Sequence, residues 1–190
     1  MSLSSYTEKL NFALTTIDQN VIDVFVKELM NAWDGKRQLL VCGNGGSAAN
    51  ALHWVNDFVY GLGCGTGRAG MRALALSANQ AVMTCLGNDI GYEQIFAEQI
   101  RVQAQEGDLL LVLSGSGNSE NILQAIDVAK NKGMRTFAIL GYDGGKALGR
   151  VEHSIHVDLN DMQISEDVQL ILAHYIVREM RAKLGISQPC

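Results

Sequence analysis

The sequence predicts an α/β fold in which a five-stranded parallel sheet is covered by helices on both faces. Short, continuous apolar runs, typical of strands that are buried on both faces, alternate with longer segments of helical periodicity. Strands that alternate with helices in this way form parallel sheets. Because a chain of 190 residues with 47% hydrophobic residues can bury one substantial core, we expect a single domain over residues 1–190.

Five apolar runs are predicted to form the strands. They are QLLVCG (38–43), MRALALS (71–77), DLLLVLSGSG (108–117), MRTFAILGYDGG (134–145) and HSIHVDL (153–159). The predicted helices between and after them are SAANALHWVNDFVYG, YEQIFAEQIRVQAQ, SENILQAIDVAKNKG and SEDVQLILAHYIVREMRAKLG. Residues 1–34 carry apolar side chains at helical spacing, among them Leu10, Leu14, Val21 and Leu29. We therefore expect an N-terminal helical segment over residues 1–34 and an α/β core over 35–190.

Charge and hydropathy exclude several classes of partner. The formal net charge is −5 and no run of Lys or Arg is present, which argues against direct nucleic-acid binding by one subunit. No window approaches the ~18 apolar residues that span a bilayer, and the N-terminus lacks a signal-like apolar stretch. We expect a cytoplasmic protein that binds a small molecule and no membrane.

Two similar loops lead from a predicted strand into a predicted helix. CGNGGSA (42–48) and LSGSGNSEN (113–121) are both rich in glycine and hydroxyl groups. Glycine lets the backbone approach a ligand, and the free N–H groups of a first helical turn favour an anion. Neither loop has the Gly-Lys-Ser/Thr of a Walker motif. The loops predict a phosphate site, although Ser47, Ser114 and Ser119 could instead be ordinary helix caps.

Four motifs together resemble the sugar isomerase (SIS) family, and within it the phosphoheptose isomerases, which act on sedoheptulose 7-phosphate. They are CGNGGSAANALH, GNDIGYEQIFAEQI, SGSGNSENILQAIDVAKNKGMRTFAILGYDGG and a late helix that carries a histidine. The resemblance runs from about residue 6 to 184. It implies a three-layer α/β/α sandwich and a homotetramer, with the N-terminal helices at the oligomer interface and active sites between subunits. It also implies a phosphorylated sugar as substrate and, as in several members, one zinc ion per subunit.

The resemblance also implies which residues contact the substrate. In this sequence they are Asn44, Gly45, Gly46, Ser47, Asn88, Asp89, Ser114, Gly115, Ser116, Ser119 and Glu166. One position departs from the family pattern. Gly115 stands where the isomerases commonly have a threonine within STSGNS, so one hydroxyl contact is absent.

Four further positions are implied to bind zinc and to carry the chemistry. His53, Asp57, Glu166 and His174 are the expected metal ligands, with Asp57 as the catalytic base and His174 as its partner. The i, i+4 spacing places His53 and Asp57 on one helix face. The family has glutamate where this sequence has Asp57. Aspartate is one methylene shorter, and a catalytic group misplaced by about 1 Å can cost ~100-fold in rate. The family has glutamine where this sequence has Glu166, and Asp167, seven residues before His174, is an alternative to Glu166.

Two functions are compatible with these residues. The first is ketose–aldose isomerisation, through an enediol, of sedoheptulose 7-phosphate to D-glycero-D-manno-heptose 7-phosphate or of a related ketose phosphate, for lipopolysaccharide, capsule or glycoprotein synthesis. The second is a non-catalytic SIS protein that binds a phosphosugar or a replication initiator. A carboxylate at position 57 and a histidine at 174 favour the enzyme. As simpler alternatives, His53 could be a surface histidine, and His174, within LILAHYIV, a buried core or interface histidine.

Overall fold

The computed structural model describes residues 2–186, and its five strands form one parallel sheet. The strands are β1 (Leu39–Cys42), β2 (Ala73–Ala75), β3 (Leu109–Ser114), β4 (Arg135–Leu140) and β5 (His153–His156). Their order across the sheet is β2-β1-β3-β4-β5, and every neighbouring pair is parallel. The five predicted strands are thus confirmed, with the glycine-rich ends of the predicted segments outside the ladder.

Helices cover both faces of this sheet. They are α1 (Leu3–Thr15), α2 (Gln19–Asp34), α3 (Gly45–Asn56), α4 (Gln80–Asp89), α5 (Ala97–Gln103), α6 (Glu120–Asn131) and α7 (Met162–Lys183). A π-helical turn, Asp57–Gly61, continues α3, and the predicted helix that starts at Tyr92 is divided into a 3-10 turn (Tyr92–Gln94) and α5. Among residues 2–186, no helix has the length and apolar character needed to cross a membrane.

Helix α4 is absent from the sequence-based prediction. It contains no fully buried residue, and only Met83 and Leu86 pack partly against the core, so its sequence carries a weaker apolar stripe than the other helices of that layer. Its start is set locally, because the side chain of Asn79 accepts a hydrogen bond from the Val82 N–H.

Each face of the sheet is covered by its own hydrophobic layer. In β1, Leu39 and Val41 point toward the layer formed with α1, α2, α3 and α7, whereas Leu40 and Cys42 point toward the layer formed with α5 and α6. This alternation is the period of a strand that is buried on both faces. The predicted three-layer α/β/α sandwich is confirmed. The N-terminal helices belong to the first layer, where Ala13 and Phe25 are fully buried.

Candidate active site

A cavity of about 260 Å³ lies at the carboxyl ends of β1 and β3. The strand order reverses between these two strands, and ligands of open parallel sheets bind at such a switch point. The cavity is lined by Asn44, Gly45, Gly46, Ser47, Leu113, Ser114, Gly115, Ser116, Ser119, Met162 and Glu166. We call it the loop cavity, since the two glycine-rich loops form most of its wall. Nine of the predicted substrate-binding residues line it; Asn88 and Asp89 do not.

The hydroxyl groups of these loops are not used as ordinary helix caps. Asn44, not Ser47, occupies the N-cap position of α3, and Ser119 at the N-cap of α6 makes no side-chain capping hydrogen bond. Ser114 Oγ accepts a hydrogen bond from the Gly117 N–H at 3.0 Å, which closes the second loop. Helix α3 begins at Gly45, so its free first-turn N–H groups belong to residues that line the cavity. The cavity therefore combines backbone donors and hydroxyl groups suited to a phosphate.

The side chain of Asn44 is held by two residues that the sequence analysis did not identify. Asn44 and Asn121 exchange a pair of amide hydrogen bonds of 2.9 and 2.8 Å, and Tyr92 Oη donates to Asn44 Oδ1 at 3.0 Å. Asn121 is buried at the start of α6, so it joins the first loop to the second. Its place two residues after Ser119 in the second loop was the only sequence signal for this role.

Asn88 and Asp89 form the last residues of α4 and are exposed. Asn88 Nδ2 donates to Asp89 Oδ1 at 2.8 Å, and Cys85 Sγ donates to Asp89 Oδ2 at 3.4 Å. The hydrogen bond from Asn88, and to a smaller extent that from Cys85, lowers the pKa of the Asp89 carboxyl. Within the protomer the pair is engaged locally, and its expected contact with substrate stays a prediction.

His53, Asp57 and His174 come together outside the loop cavity, between α3 and α7. The Nε2 atoms of His53 and His174 are 2.8 Å apart. Asp57 Oδ2 lies 3.4 Å from His53 Nε2 and 3.7 Å from His174 Nε2. The side chains of His53, Asp57 and His174 are 42%, 20% and 53% exposed. The core alternative for His174 is therefore wrong for the protomer: its ring projects from the outer face of α7. We call these three residues the His-Asp-His cluster.

Hydrogen bonds between α3 and α7 set the alignment that forms this cluster. Asn50 Nδ2 donates to Glu166 O at 2.9 Å and to Gln169 Oε1 at 3.0 Å. The buried indole of Trp54 donates to Gln169 O at 3.0 Å. Both helices follow strands of a parallel sheet and run in the same direction, so this alignment brings His53 opposite His174. The sequence identified the cluster residues but not these supports.

Asp57 lies where α3 changes its geometry. It ends the α-helical segment and begins the π-helical turn Asp57–Gly61, closed by a 2.7 Å hydrogen bond from Leu62 N–H to Asp57 O. Turns of this kind are frequent at functional sites. Asp57 Oδ2 faces both histidines, while Oδ1 accepts a hydrogen bond from Asn56 Nδ2 at 3.1 Å. The helix thus departs from regular geometry at the residue whose side chain is shorter than the expected glutamate.

Glu166 and Asp167 lie apart from the cluster. The carboxylate of Glu166 lies against Gly46 in the loop cavity. Asp167 Oδ2 accepts a 2.6 Å hydrogen bond from Tyr6 Oη, which raises the pKa of Tyr6 to about 12. Among the described residues, the group that could hold a metal contains His53, Asp57 and His174 alone. Glu166 is not part of this group in the protomer, because its carboxylate is directed toward the first loop, and its expected role as a fourth metal ligand stays a prediction.

Gly115 is matched to a neighbouring methionine. A Cβ atom at position 115 would lie 2.6 Å from Met162 Sδ, closer than atoms of this kind approach one another. Met162, the first residue of α7, thus fills space in the loop cavity that a side chain at 115 would need. The departure from threonine at this position changes the shape of the wall as well as removing a hydroxyl group.

Comparisons with known proteins show which sequences and structures the chain is similar to. Residues 5–141 match the sequence profile of the SIS domain. A phosphoheptose isomerase of Chlorobium phaeobacteroides is 32% identical over 97% of this chain and 82% of its own length. That of Citrifermentans bemidjiense is 36% identical over 87% of this chain and 85% of its own. The structure of a phosphoheptose isomerase from Francisella tularensis superposes with a TM-score of 0.87 at 27% identity, covering 94% of this chain and 95% of that one.

Replacing Glu166 with Gln is expected to tighten the binding of inorganic phosphate to the loop cavity. The substitution removes a negative charge beside the anion, and two unit charges about 4 Å apart in water repel by about 1 kcal/mol, or about fivefold in affinity. Isothermal titration calorimetry with phosphate measures this change. Asp167→Asn is the matched control, since its carboxylate lies on Tyr6 instead. Weaker binding by Glu166→Gln would contradict the repulsion.

Gly115→Thr is expected to lower the free energy of unfolding by about 1 kcal/mol, the low end of the usual cost of overpacking, because its Cβ meets only the flexible end of the Met162 side chain. Met162→Ala should lower the free energy of unfolding less in the Gly115→Thr variant than in the unmodified protein, because it makes room for the threonine. Urea unfolding of the single and double variants measures this coupling. Gly149→Thr is the control, because a Cβ at Gly149 meets no atom within 4 Å. Additive effects would contradict the steric account.

Proposed function

The chain belongs to the SIS-domain family, among its phosphoheptose isomerases, and from this membership we propose that it is an aldose–ketose isomerase acting on sedoheptulose 7-phosphate. The product would be D-glycero-D-manno-heptose 7-phosphate. The observation that carries the proposal is the placement of two chemically distinct groups along helix α3. Ser47 of the loop cavity and His53 of the cluster are six residues apart, about 9 Å at 1.5 Å per residue. An extended seven-carbon phosphosugar has about this length between phosphorus and carbonyl, given single bonds of about 1.5 Å.

The loop cavity would hold the phosphate and leave the carbonyl end of the open-chain sugar at the cluster. Isomerisation then needs a base that removes the proton from C1 of the ketose while the C2 oxygen gains a proton, which gives an enediol. A proton is then delivered to C2 while the C1 hydroxyl loses its proton, which gives the aldose. Asp57 is the proposed base, and the imidazole of His174 is its proton-transfer partner. Asp57 Oδ2 lies 3.4 and 3.7 Å from the two imidazoles, which supports this assignment, because catalytic hydrogen bonds are often long without substrate and shorten to about 2.6–3.2 Å in the complex.

The same three residues fit a zinc ion. Two imidazole nitrogens and a carboxylate oxygen are typical donors for catalytic zinc, which keeps one position open. Their donor atoms all lie within 4.8 Å of one another, and tetrahedral ligands at 2.0–2.1 Å from an ion would be about 3.3 Å apart. We propose His53, Asp57 and His174 as the ligands. When bound, zinc would polarise the substrate carbonyl and so acidify the adjacent C–H.

We further propose a homotetramer in the cytoplasm, with active sites completed between subunits. The exposed cluster and the large exposed side chains next to it in sequence, Leu52, Val59, Tyr60 and Tyr175, support a covering subunit. Exposed apolar surface of this kind marks interaction sites. The heptose product would serve lipopolysaccharide, capsule or glycoprotein synthesis.

A non-catalytic SIS protein, which binds a phosphosugar or a replication initiator, is the alternative function. It has no need for a carboxylate in contact with two imidazoles. The His-Asp-His cluster therefore favours the enzyme over the binding protein.

An NMR time course with sedoheptulose 7-phosphate and zinc should show the aldose signal appear with the unmodified protein. His174→Gln and Asp57→Asn are expected to abolish turnover, because each removes a proton-transfer group, while phosphosugar binding measured by calorimetry stays largely intact. His153→Gln is the matched control. His153 lies in β5, away from the cluster, where its ring stacks on Phe137 of β4, so its replacement should leave turnover unchanged. No conversion by the unmodified protein would overturn the isomerase assignment in favour of the binding protein.

A further inference from the structure

A second cavity, of about 330 Å³, lies beside the amino ends of β1 and β2, at the opposite edge of the sheet from the loop cavity. It is lined by Trp33, Asp34, Lys36, Arg37, Arg68, Ala69, Gly70 and Arg72. Lys36 and Arg37 connect α2 to β1, and Arg72 directly precedes β2, where its carbonyl accepts a 2.8 Å hydrogen bond from the Leu39 N–H. We call this cavity the basic cleft. It shares no residue with the loop cavity or with the His-Asp-His cluster.

The charge of the basic cleft is opposite to that of the whole chain. The chain has 15 Lys and Arg against 20 Asp and Glu, yet the cleft is lined by four cations and one carboxylate, Asp34. Like charges gathered in one concave surface repel one another and focus a positive potential into the cavity. An anion bound there would relieve this repulsion.

Several of the cations are held in place before any ligand binds. Arg68 Nη2 donates to Asp34 Oδ1 at 2.9 Å, and Arg68 Cζ lies 3.9 Å from the centre of the Trp33 ring. Arg72 Nη1 donates to Lys36 O at 3.0 Å, and Arg37 Nη1 donates to Glu106 O. A guanidinium group has five N–H donors, so each arginine keeps others for a ligand. Fixed guanidinium groups with spare donors match the oxygen atoms of phosphate groups.

The backbone at Lys36 sets where the chain leaves helix α2. Lys36 has φ of 54°, in the left-handed region, directly after Gly35. Many helices end with one residue in this conformation, and here the Lys36 N–H donates to Trp33 O at 3.2 Å and the Arg37 N–H donates to Ala32 O at 2.8 Å. The end of α2 therefore holds Lys36 and Arg37 at the wall of the cleft.

We propose that the basic cleft is a second ligand site, which binds a small molecule that carries two or more phosphate groups. The volume lies in the range of small-molecule sites. Four cations are enough to neutralise a diphosphate, whereas a nucleic acid would need a longer basic surface than this net-acidic chain presents. The site is independent of the proposed isomerisation and lies at the other edge of the sheet.

Titration with inorganic pyrophosphate at low ionic strength tests the proposal, because the two tryptophan indoles report different regions. Trp33 lines the cleft, whereas Trp54 is buried between α3 and α7. In ¹⁵N-edited NMR spectra, we expect the Trp33 indole signal to shift in a saturable manner and the Trp54 signal to stay in place. Glu166→Gln, which alters the loop cavity, should leave the Trp33 response unchanged. Absence of a Trp33 shift at millimolar pyrophosphate would overturn the proposal.

Removing cations from the cleft should weaken this binding. The double variant Arg68→Gln/Arg72→Gln is expected to lose about tenfold or more in pyrophosphate affinity, because two charge-assisted contacts disappear. Arg101→Gln/Arg150→Gln is the matched control, since these arginines pair with Glu98 and Asp127 outside the cleft. Lys36→Gln removes one charge without disturbing the Trp33 contact, and it should weaken binding even if the double variant fails to fold. Unchanged affinity in Lys36→Gln would contradict the site.

Discussion

The parallel packing of α3 on α7 is the constraint on which the candidate site depends. Asn50 and Trp54 of α3 bind the backbone and side chain of α7 around the buried residue Gln169. The Trp54 hydrogen bond is buried and the two Asn50 hydrogen bonds are partly buried, and together they fix one alignment, because a shift of either helix would leave their polar groups unpaired. The alignment places His53 and His174 with their Nε2 atoms 2.8 Å apart, although 121 residues separate them in sequence.

Helix α3 also explains why two kinds of ligand can bind close together. Its N-terminus, at Gly45, presents free N–H groups and the positive end of the helix dipole to the loop cavity. Further along, it carries His53, and Asp57 follows where the helix continues into the π-helical turn Asp57–Gly61. The phosphate cavity at its start and the imidazole–carboxylate cluster further along are thus both placed by the same helix. The substrate proposed for this chain has the matching polarity, with its phosphate and its carbonyl at opposite ends.

The parts of the structure that were predictable from sequence are those with local signals. The strands appear as apolar runs, and the glycine-rich loops follow two of them directly, so both could be predicted. Asn44 and Asn121 are 77 residues apart, and Asn50 and Gln169 are 119 apart, so only the folded chain reveals that they form pairs. Glu166 was predicted as a ligand from its position eight residues before His174 in sequence. Eight residues of helix span about 12 Å, and the carboxylate of Glu166 lies against Gly46 rather than in the cluster. Helix α4 was missed because none of its side chains is fully buried and only Met83 and Leu86 pack partly against the core.

Solvent exchange tests the central claim, that the His-Asp-His cluster moves protons on a phosphosugar, most directly. Sedoheptulose 7-phosphate would be incubated with the protein in D₂O and analysed by NMR for deuterium in both sugars. The account predicts deuterium at C1 of the recovered ketose and at C2 of the aldose, because the enediol is reprotonated from exchangeable groups of the protein. It also predicts that Asp57→Asn loses this exchange. Conversion without deuterium incorporation, or exchange that persists in Asp57→Asn, would contradict the role assigned to the cluster.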